Sequence, residues 1–217
     1  MLCRPALALY AAAVAVISPA AAWSATEGPS GLHTMLARDR AAERWISSHH
    51  YPVLDWILGP VSFAGEVAAL WLLIGVAMII FGRGRVRMTG AFLVATIALT
   101  DRLIAAPLAH FFHRTRPYLA EPGLRQVGIR WAGSSFPSGH GHSVMIALIL
   151  LGSEYRKALP ALGVFALLTL YSRPYLGMHY PLDTLAGAAI GTIAGLAALR
   201  LRRWLERRRA RSQGQAP

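Results

Sequence analysis

Long apolar runs separated by short polar clusters organise this chain. Val61 to Phe81, Met88 to Phe112, Ser138 to Tyr155, Ala158 to Tyr171 and Pro181 to Leu199 are each predominantly apolar. Runs of this kind approach or reach the roughly 20 residues that a helix needs to cross a hydrocarbon core, so the pattern predicts membrane-spanning helices. An earlier run, Pro5 to Ala22, follows the single charge of Arg4 and ends in Ala20, Ala21 and Ala22. It reads either as a cleaved signal peptide or as a first transmembrane helix. Along the last run Gly187, Gly191 and Gly195 recur every four residues, the small-residue spacing that lets helices approach closely.

Residues 26–60 break this pattern. Arg38, Asp39, Arg40, Glu43 and Arg44 alternate in sign among Leu36, Ala41, Trp45 and Ile46. The segment predicts an interfacial helix, or a solvated surface helix that packs through its apolar residues. His49 and His50 have no acidic or cysteine neighbours at metal-ligand spacing and read as loop residues. Within the run from Met88 to Phe112, Asp101 and Arg102 lie near the middle. Charges at that depth are costly, which predicts that both face the helix bundle, as a structural pair or in support of a site.

Composition agrees with a membrane protein. Of the 217 residues 55% are hydrophobic and only 15% charged, and the mean hydropathy is +0.43, too apolar for an ordinary soluble domain. The formal charge of +12 comes from 22 basic residues, all arginine except Lys157. They cluster at the ends of apolar runs, which argues for topology and phosphate binding and against nucleic-acid contact. Arg83, Arg85 and Arg87 fill one turn, Arg156 and Lys157 another, and Arg200 to Arg211 the C-terminal tail. By the positive-inside rule these mark the cytoplasm. Cys3 is the sole cysteine, so the chain forms no internal disulfide and no cysteine metal cluster.

The polar clusters at the opposite ends of the runs hold the chemistry. Ser172 to Asp183 sets Arg173, a planar fork of donors suited to phosphate, beside His179 and Asp183. If Pro181 opens a helix, the four-residue spacing brings the Asp183 carboxylate within one turn of the imidazole, where it could hold one ring nitrogen. Pro137-Ser138-Gly139-His140 opens the run that begins at Ser138, and Arg116-Pro117 follows the run that ends at Phe112.

In this order the clusters resemble the three signature motifs of the type 2 phosphatidic acid phosphatase family, which shares its site plan with vanadium haloperoxidases. The third motif, Ser-Arg, five residues, His, three residues, Asp, is met by Ser172, Arg173, His179 and Asp183. The second is met by Pro137, Ser138, Gly139 and His140, and the first by Arg116 and Pro117, with Ala109 where the family carries a lysine.

The resemblance implies a metal-independent membrane hydrolase without a cofactor, acting on a phosphorylated lipid at the bilayer. Its six-span core makes residues 1–25 a retained first helix, 61–201 the catalytic domain and 202–217 a cytoplasmic tail. His179 would be the nucleophile, Asp183 its orienting partner and His140 the general acid and base. Arg116, Arg173, Ser138 and Gly139 would hold the phosphate. Of the cations near Ala109, Arg114 ranks ahead of His110 and Arg102 as the replacement for the missing lysine, because a guanidinium is always charged and binds phosphate through two donors. The site would open on the extracytoplasmic face of a bacterial inner membrane. An undecaprenyl diphosphate type substrate is favoured by the short, single-domain architecture and outward site, with phosphatidylglycerophosphate, phosphatidate and lipid A phosphates as the other classes. A silent relative that binds or moves phosphorylated lipids is the alternative.

Overall fold

A computed structural model describes residues 31–64, 68–121, 123–124, 126–127 and 133–212. The expected first span and the loop residues Arg125, Arg130 and Trp131 lie outside the described residues. Every regular element among those described is helical: α1 (Gly31–Ser48), α2 (Pro52–Ala64), α3 (Ala68–Phe81), α4 (Arg85–Thr100), α5 (Ala106–Phe112), α6 (Pro117–Ala120), α7 (Gly139–Glu154), α8 (Leu159–Tyr175) and α9 (Pro181–Ser212). A π-helical turn, Asp101–Ala105, joins α4 to α5 without a break, and a 3-10 turn, Arg156–Ala158, precedes α8.

Two segments, Arg85–Ala120 and Pro181–Ser212, are long and apolar enough to cross a membrane, each with a hydropathy of 1.6. Their most apolar stretches are only 22% and 33% buried, respectively. A helix at the core of a soluble protein would be covered on most sides, so these present apolar surface outward. The other expected spans do not meet the same length measure: α3 is a shorter apolar helix, and α7 and α8 have 16 and 17 residues.

The centre of the bundle is α7. Its Val144, Ile146, Ala147 and Leu150 pack with Leu93 and Ile97 of α4 and Ala166 of α8 in one continuous core. Against α9 the contact is backbone to backbone, because Gly187, Gly191 and Gly195 are all buried. A Cβ at Gly187 would strike the Ser138 carbonyl, and one at Gly191 the backbone of His142. Reciprocally, a Cβ at Gly141 would lie 2.9 Å from the Thr184 carbonyl. The glycine spacing therefore brings the first turns of α7 and α9 together, and the Ser138 amide donates to the Asp183 carbonyl at 3.0 Å.

Two expectations are corrected. Asp101 and Arg102 are not buried in the bundle; both are exposed. The π-helical turn that starts at Asp101 holds more residues per turn than the 3.6 of an α-helix, which rotates the facing residues away from a straight continuation of α4. Helix α1 also reverses the solvated reading, because its buried stripe is polar, Asp39, Glu43 and Ser47, while Met35 and Trp45 lie 44% and 63% exposed. Apolar residues turned outward suit an interface with lipid.

Burial of Glu43, reinforced by nearby Glu121 and Asp39, raises its pKa from 4.5 to about 7, against opposing pulls from Ser47 and Arg44. A carboxyl with a raised folded pKa stabilises the fold fully below its unfolded value and loses that contribution as pH rises through the folded one. Thermal stability should therefore fall between pH 4.5 and pH 8, and Glu43→Gln should flatten the profile. A shift of this size corresponds to about 3 kcal/mol at 1.36 kcal/mol per unit, which sets the order of magnitude of the gain expected from Glu43→Gln at pH 8. Melting curves of both proteins across that range check it; parallel profiles would refute it.

Candidate active site

The site forms where α7, α8, α9 and the segment after α5 meet at one end of the bundle. Helix α8 ends because Gly177 takes a left-handed φ of 69°, a conformation that costs glycine little. Its amide donates to the Pro174 carbonyl at 2.9 Å, and the Met178 amide returns to the Arg173 carbonyl at 3.0 Å. This reversal sets His179 beside Arg173. Pro181 then opens α9, as its fixed φ favours.

His179 is 3% exposed. Its Nδ1 lies 2.7 Å from the Ser135 carbonyl oxygen, an acceptor only, so Nδ1 carries the proton and Nε2 is the unprotonated nitrogen, an acceptor for Arg116. Arg116 Nη1 stands 3.2 Å from Nε2 and also donates to the Met178 carbonyl at 3.2 Å. Further bonds from Arg116 to the Gly133 and Ser134 carbonyls, at 3.2 and 3.3 Å, fix the guanidinium plane. Burial first, then Arg173, Arg116 and His140, hold the His179 pKa well below 6.5, against a small upward pull from the Ser135 carbonyl. The ring is neutral at physiological pH.

Arg173 is 3% exposed and donates through Nη1 to the Ser62 hydroxyl of α2. Ser138 is the N-cap of α7, its hydroxyl accepting from the Gly141 amide at 3.4 Å. Gly139 and His140 occupy the first turn, where free backbone amides and the helix dipole favour an anion. His140 Nε2 is buried without a hydrogen-bond partner among the described residues. His142 is buried, and its ring lies against the first turn, Cε1 being 3.9 Å from where a Cβ at Gly139 would stand.

Two expected roles change. Asp183 does not orient the imidazole: its Oδ2 lies 3.9 Å from His179 Nδ1, which is committed to Ser135. That oxygen instead accepts from the Tyr180 amide at 3.0 Å, the reach-back bond of a capping box. Arg114 does not face the phosphate cradle. Its Nη1 lies 2.5 Å from Asp183 Oδ1, its Nη2 lies 2.6 Å from Asp39 Oδ2, and its guanidinium stacks 4.0 Å above the Tyr180 ring. Two buried carboxylates hold this one cation, because each would be costly to leave unpaired.

Nothing in the three motifs marks Asp39, Ser135 or Ser62 as parts of this site. Asp39 Oδ1 accepts from the Leu182 amide at 2.9 Å, supplying from α1 the acceptor that a serine or aspartate at the N-cap would normally provide. Tyr180 stands at that position and has no side-chain oxygen short enough to do so. A tyrosine before Pro181 was the one hint that the cap must come from elsewhere.

The family model of the PAP2 superfamily matches residues 89–207. Among curated proteins, this chain is similar to lipid A 4'-phosphatase of Bacteroides thetaiotaomicron, 28% identical over 67% of this chain and 68% of that protein. It is also similar to undecaprenyl-diphosphatase BcrC of Bacillus subtilis, 29% identical over 70% of this chain and 77% of that one. Its fold matches the crystal structure of a transmembrane PAP2 type phosphatidylglycerolphosphate phosphatase from Bacillus subtilis, with a TM-score of 0.66, 21% identity, and coverage of 89% of this chain and 94% of that one.

Proposed function

This chain belongs to the PAP2 superfamily, and on that premise we propose that it is an integral membrane phosphatase that cleaves a lipid diphosphate through a phosphohistidine intermediate. One observation carries the reading: a buried His179 whose Nδ1 donates to the Ser135 carbonyl, with Arg116 3.2 Å from the unprotonated Nε2. A neutral imidazole so placed is a nucleophile, and the adjacent guanidinium neutralises the phosphate oxygens that would otherwise repel it.

In the proposed reaction Arg116, Arg173 and the first-turn amides of α7 bind the phosphate oxygens. His179 Nε2 attacks phosphorus while the bond to the leaving oxygen breaks, and His140 delivers a proton to that oxygen. Neutral His140 then removes a proton from water, which attacks the phosphohistidine and releases inorganic phosphate. Asp183 and Arg114 act on the backbone that presents His179. The arginine-rich turns and tail, at the ends of the runs opposite these motifs, support a site on the extracytoplasmic face.

An undecaprenyl diphosphate type substrate is proposed from the single-domain architecture and outward site, and the similarity to an undecaprenyl-diphosphatase adds support. Purified protein should release phosphate from undecaprenyl diphosphate at least about tenfold faster than from phosphatidylglycerophosphate, phosphatidate or lipid A. A tenfold preference corresponds to about 1.4 kcal/mol between transition states. Preference for another of these lipids would replace the substrate assignment, and no release from any would overturn the phosphatase reading in favour of a lipid-binding relative.

A further inference from the structure

The far end of the bundle carries a second basic site. A cavity of about 460 Å³ opens there between the start of α4, the end of α7, the start of α8 and the C-terminal half of α9. Three arginines, Arg85, Arg156 and Arg203, line it over a floor of Leu148, Ile149 and Leu159. Along α7, from Gly139 at the catalytic end to Gly152 in this cavity, the separation is about 20 Å at 1.5 Å per residue, so one phosphate cannot occupy both sites.

The charges in this region are not balanced. Glu154 Oε2 pairs with the fully buried Arg202 at 2.8 Å and with Arg85 at 3.1 Å. Glu206 lies 3.8 Å from Arg85 and 3.7 Å from Arg202. The two carboxylates are thus taken by Arg85 and Arg202, while Arg156 and Arg203 make no ion pair among the described residues. Both side chains border the cavity and both are exposed. At Gly152 the floor has no side chain, and an added Cβ would come 2.6 Å from Leu159 Cδ1, so the space depends on glycine there.

We propose that this cavity binds the phosphodiester headgroup of an anionic membrane phospholipid, with Arg156 and Arg203 on the phosphate and an acyl chain along Leu148, Ile149 and Leu159. Guanidinium forks match a phosphodiester through paired donors. The apolar floor and the 45% exposed Leu159 continue into the surface that the bundle presents to lipid. A soluble anion would use the arginines and leave that floor uncovered; a diacyl lipid uses both. Basic pockets between spanning helices at a membrane surface recognise anionic headgroups in this manner. The inference rests on the proposed membrane embedding and not on the proposed chemistry, so a binding measurement tests it whether or not the protein turns over substrate.

The test is lipid titration of the delipidated full chain in neutral detergent, followed by native mass spectrometry, with phosphatidylglycerol, phosphatidylcholine and inorganic phosphate as probes. Phosphatidylglycerol should bind one to a chain at this site, at least tenfold more tightly than phosphatidylcholine, and millimolar inorganic phosphate should not displace it. Arg156→Gln with Arg203→Gln should weaken that binding at least tenfold while phosphate release in detergent stays within twofold. Should the double variant not fold, Arg156→Lys with Arg203→Lys keeps the charge and removes the forks, and a loss of threefold or more supports the same conclusion. Unchanged phosphatidylglycerol binding in the variants, no preference over phosphatidylcholine, or displacement by inorganic phosphate would each overturn it.

Discussion

His179→Ala should abolish phosphate release, lowering turnover on the order of 10⁴-fold or more, the scale on which removing a nucleophile acts in enzymes with a covalent intermediate. The side chain is buried, but its hydrogen bonds are to the Ser135 carbonyl and to Arg116, and both partners keep other bonds or can be reached by water in the vacated pocket. Folding and lipid binding should therefore survive, with a loss of stability of about 1–3 kcal/mol for the unpaired groups. Quenched single turnovers with labelled substrate should trap acid-labile, alkali-stable phosphoprotein in the parent and none in His179→Ala. His140→Ala should still form the phosphoenzyme from a substrate with a good leaving group and then fail to release it, because water has lost its base. A His179→Ala protein that keeps a tenth of normal turnover would rule out the covalent route.

The second large effect should come from Arg114, and on stability before chemistry. Asp39 and Asp183 are 4% and 0% exposed, and Arg114 bridges them at 2.6 and 2.5 Å. Removing one cation from two buried carboxylates leaves both uncompensated, and breaking a buried pair from one side costs about 3–5 kcal/mol. Arg114→Ala should lower the melting temperature steeply and reduce kcat, because the turn that presents His179 loosens. Arg114→Lys should rescue little, since one ammonium cannot bridge two carboxylates in the geometry of a planar fork. In an Asp39→Asn background the same Arg114→Ala change should cost less, because one of the two orphaned charges is already gone. The opposite pattern is equally readable: unchanged melting with a raised KM would return Arg114 to the phosphate cradle, as a substitute for the lysine absent at Ala109.

This arrangement also explains why α1 matters to the site although it lies outside the 89–207 segment matched by the family model. Asp39 reaches from α1 to Arg114 and to the Leu182 amide, so one carboxylate caps α9 and shares with Asp183 the arginine that lies between them. The turn that presents His179 is held from both sides, by a capping bond within α9 and by Asp39 from α1.

The sequence by itself determined the all-helical plan, the end of the bundle at which the polar clusters gather, and Arg116, Arg173, His140 and His179 as the groups that meet there. The helical plan follows from local chemistry, and the resemblance of the polar clusters to the family motifs singled out those four residues. Apolar runs of helical length, glycines every four residues and Gly177 and Pro181 around His179 act through the backbone of the segment that contains them. Tertiary structure alone decided what those side chains bond to. The tautomer of His179 is set by the carbonyl of Ser135, 44 residues away, and a backbone acceptor leaves no mark on a sequence because every residue has one. The partner of Arg114 is Asp39, 75 residues away, and its choice depends on which carboxylates burial leaves most in need of a cation. The exposure of Asp101 and Arg102 turns on a π-helical turn, a change in residues per turn that the apolar pattern on either side does not register. Spacing along one helix fixes which residues share a face; the neighbouring helices, through burial and hydrogen bonding, fix what that face is for.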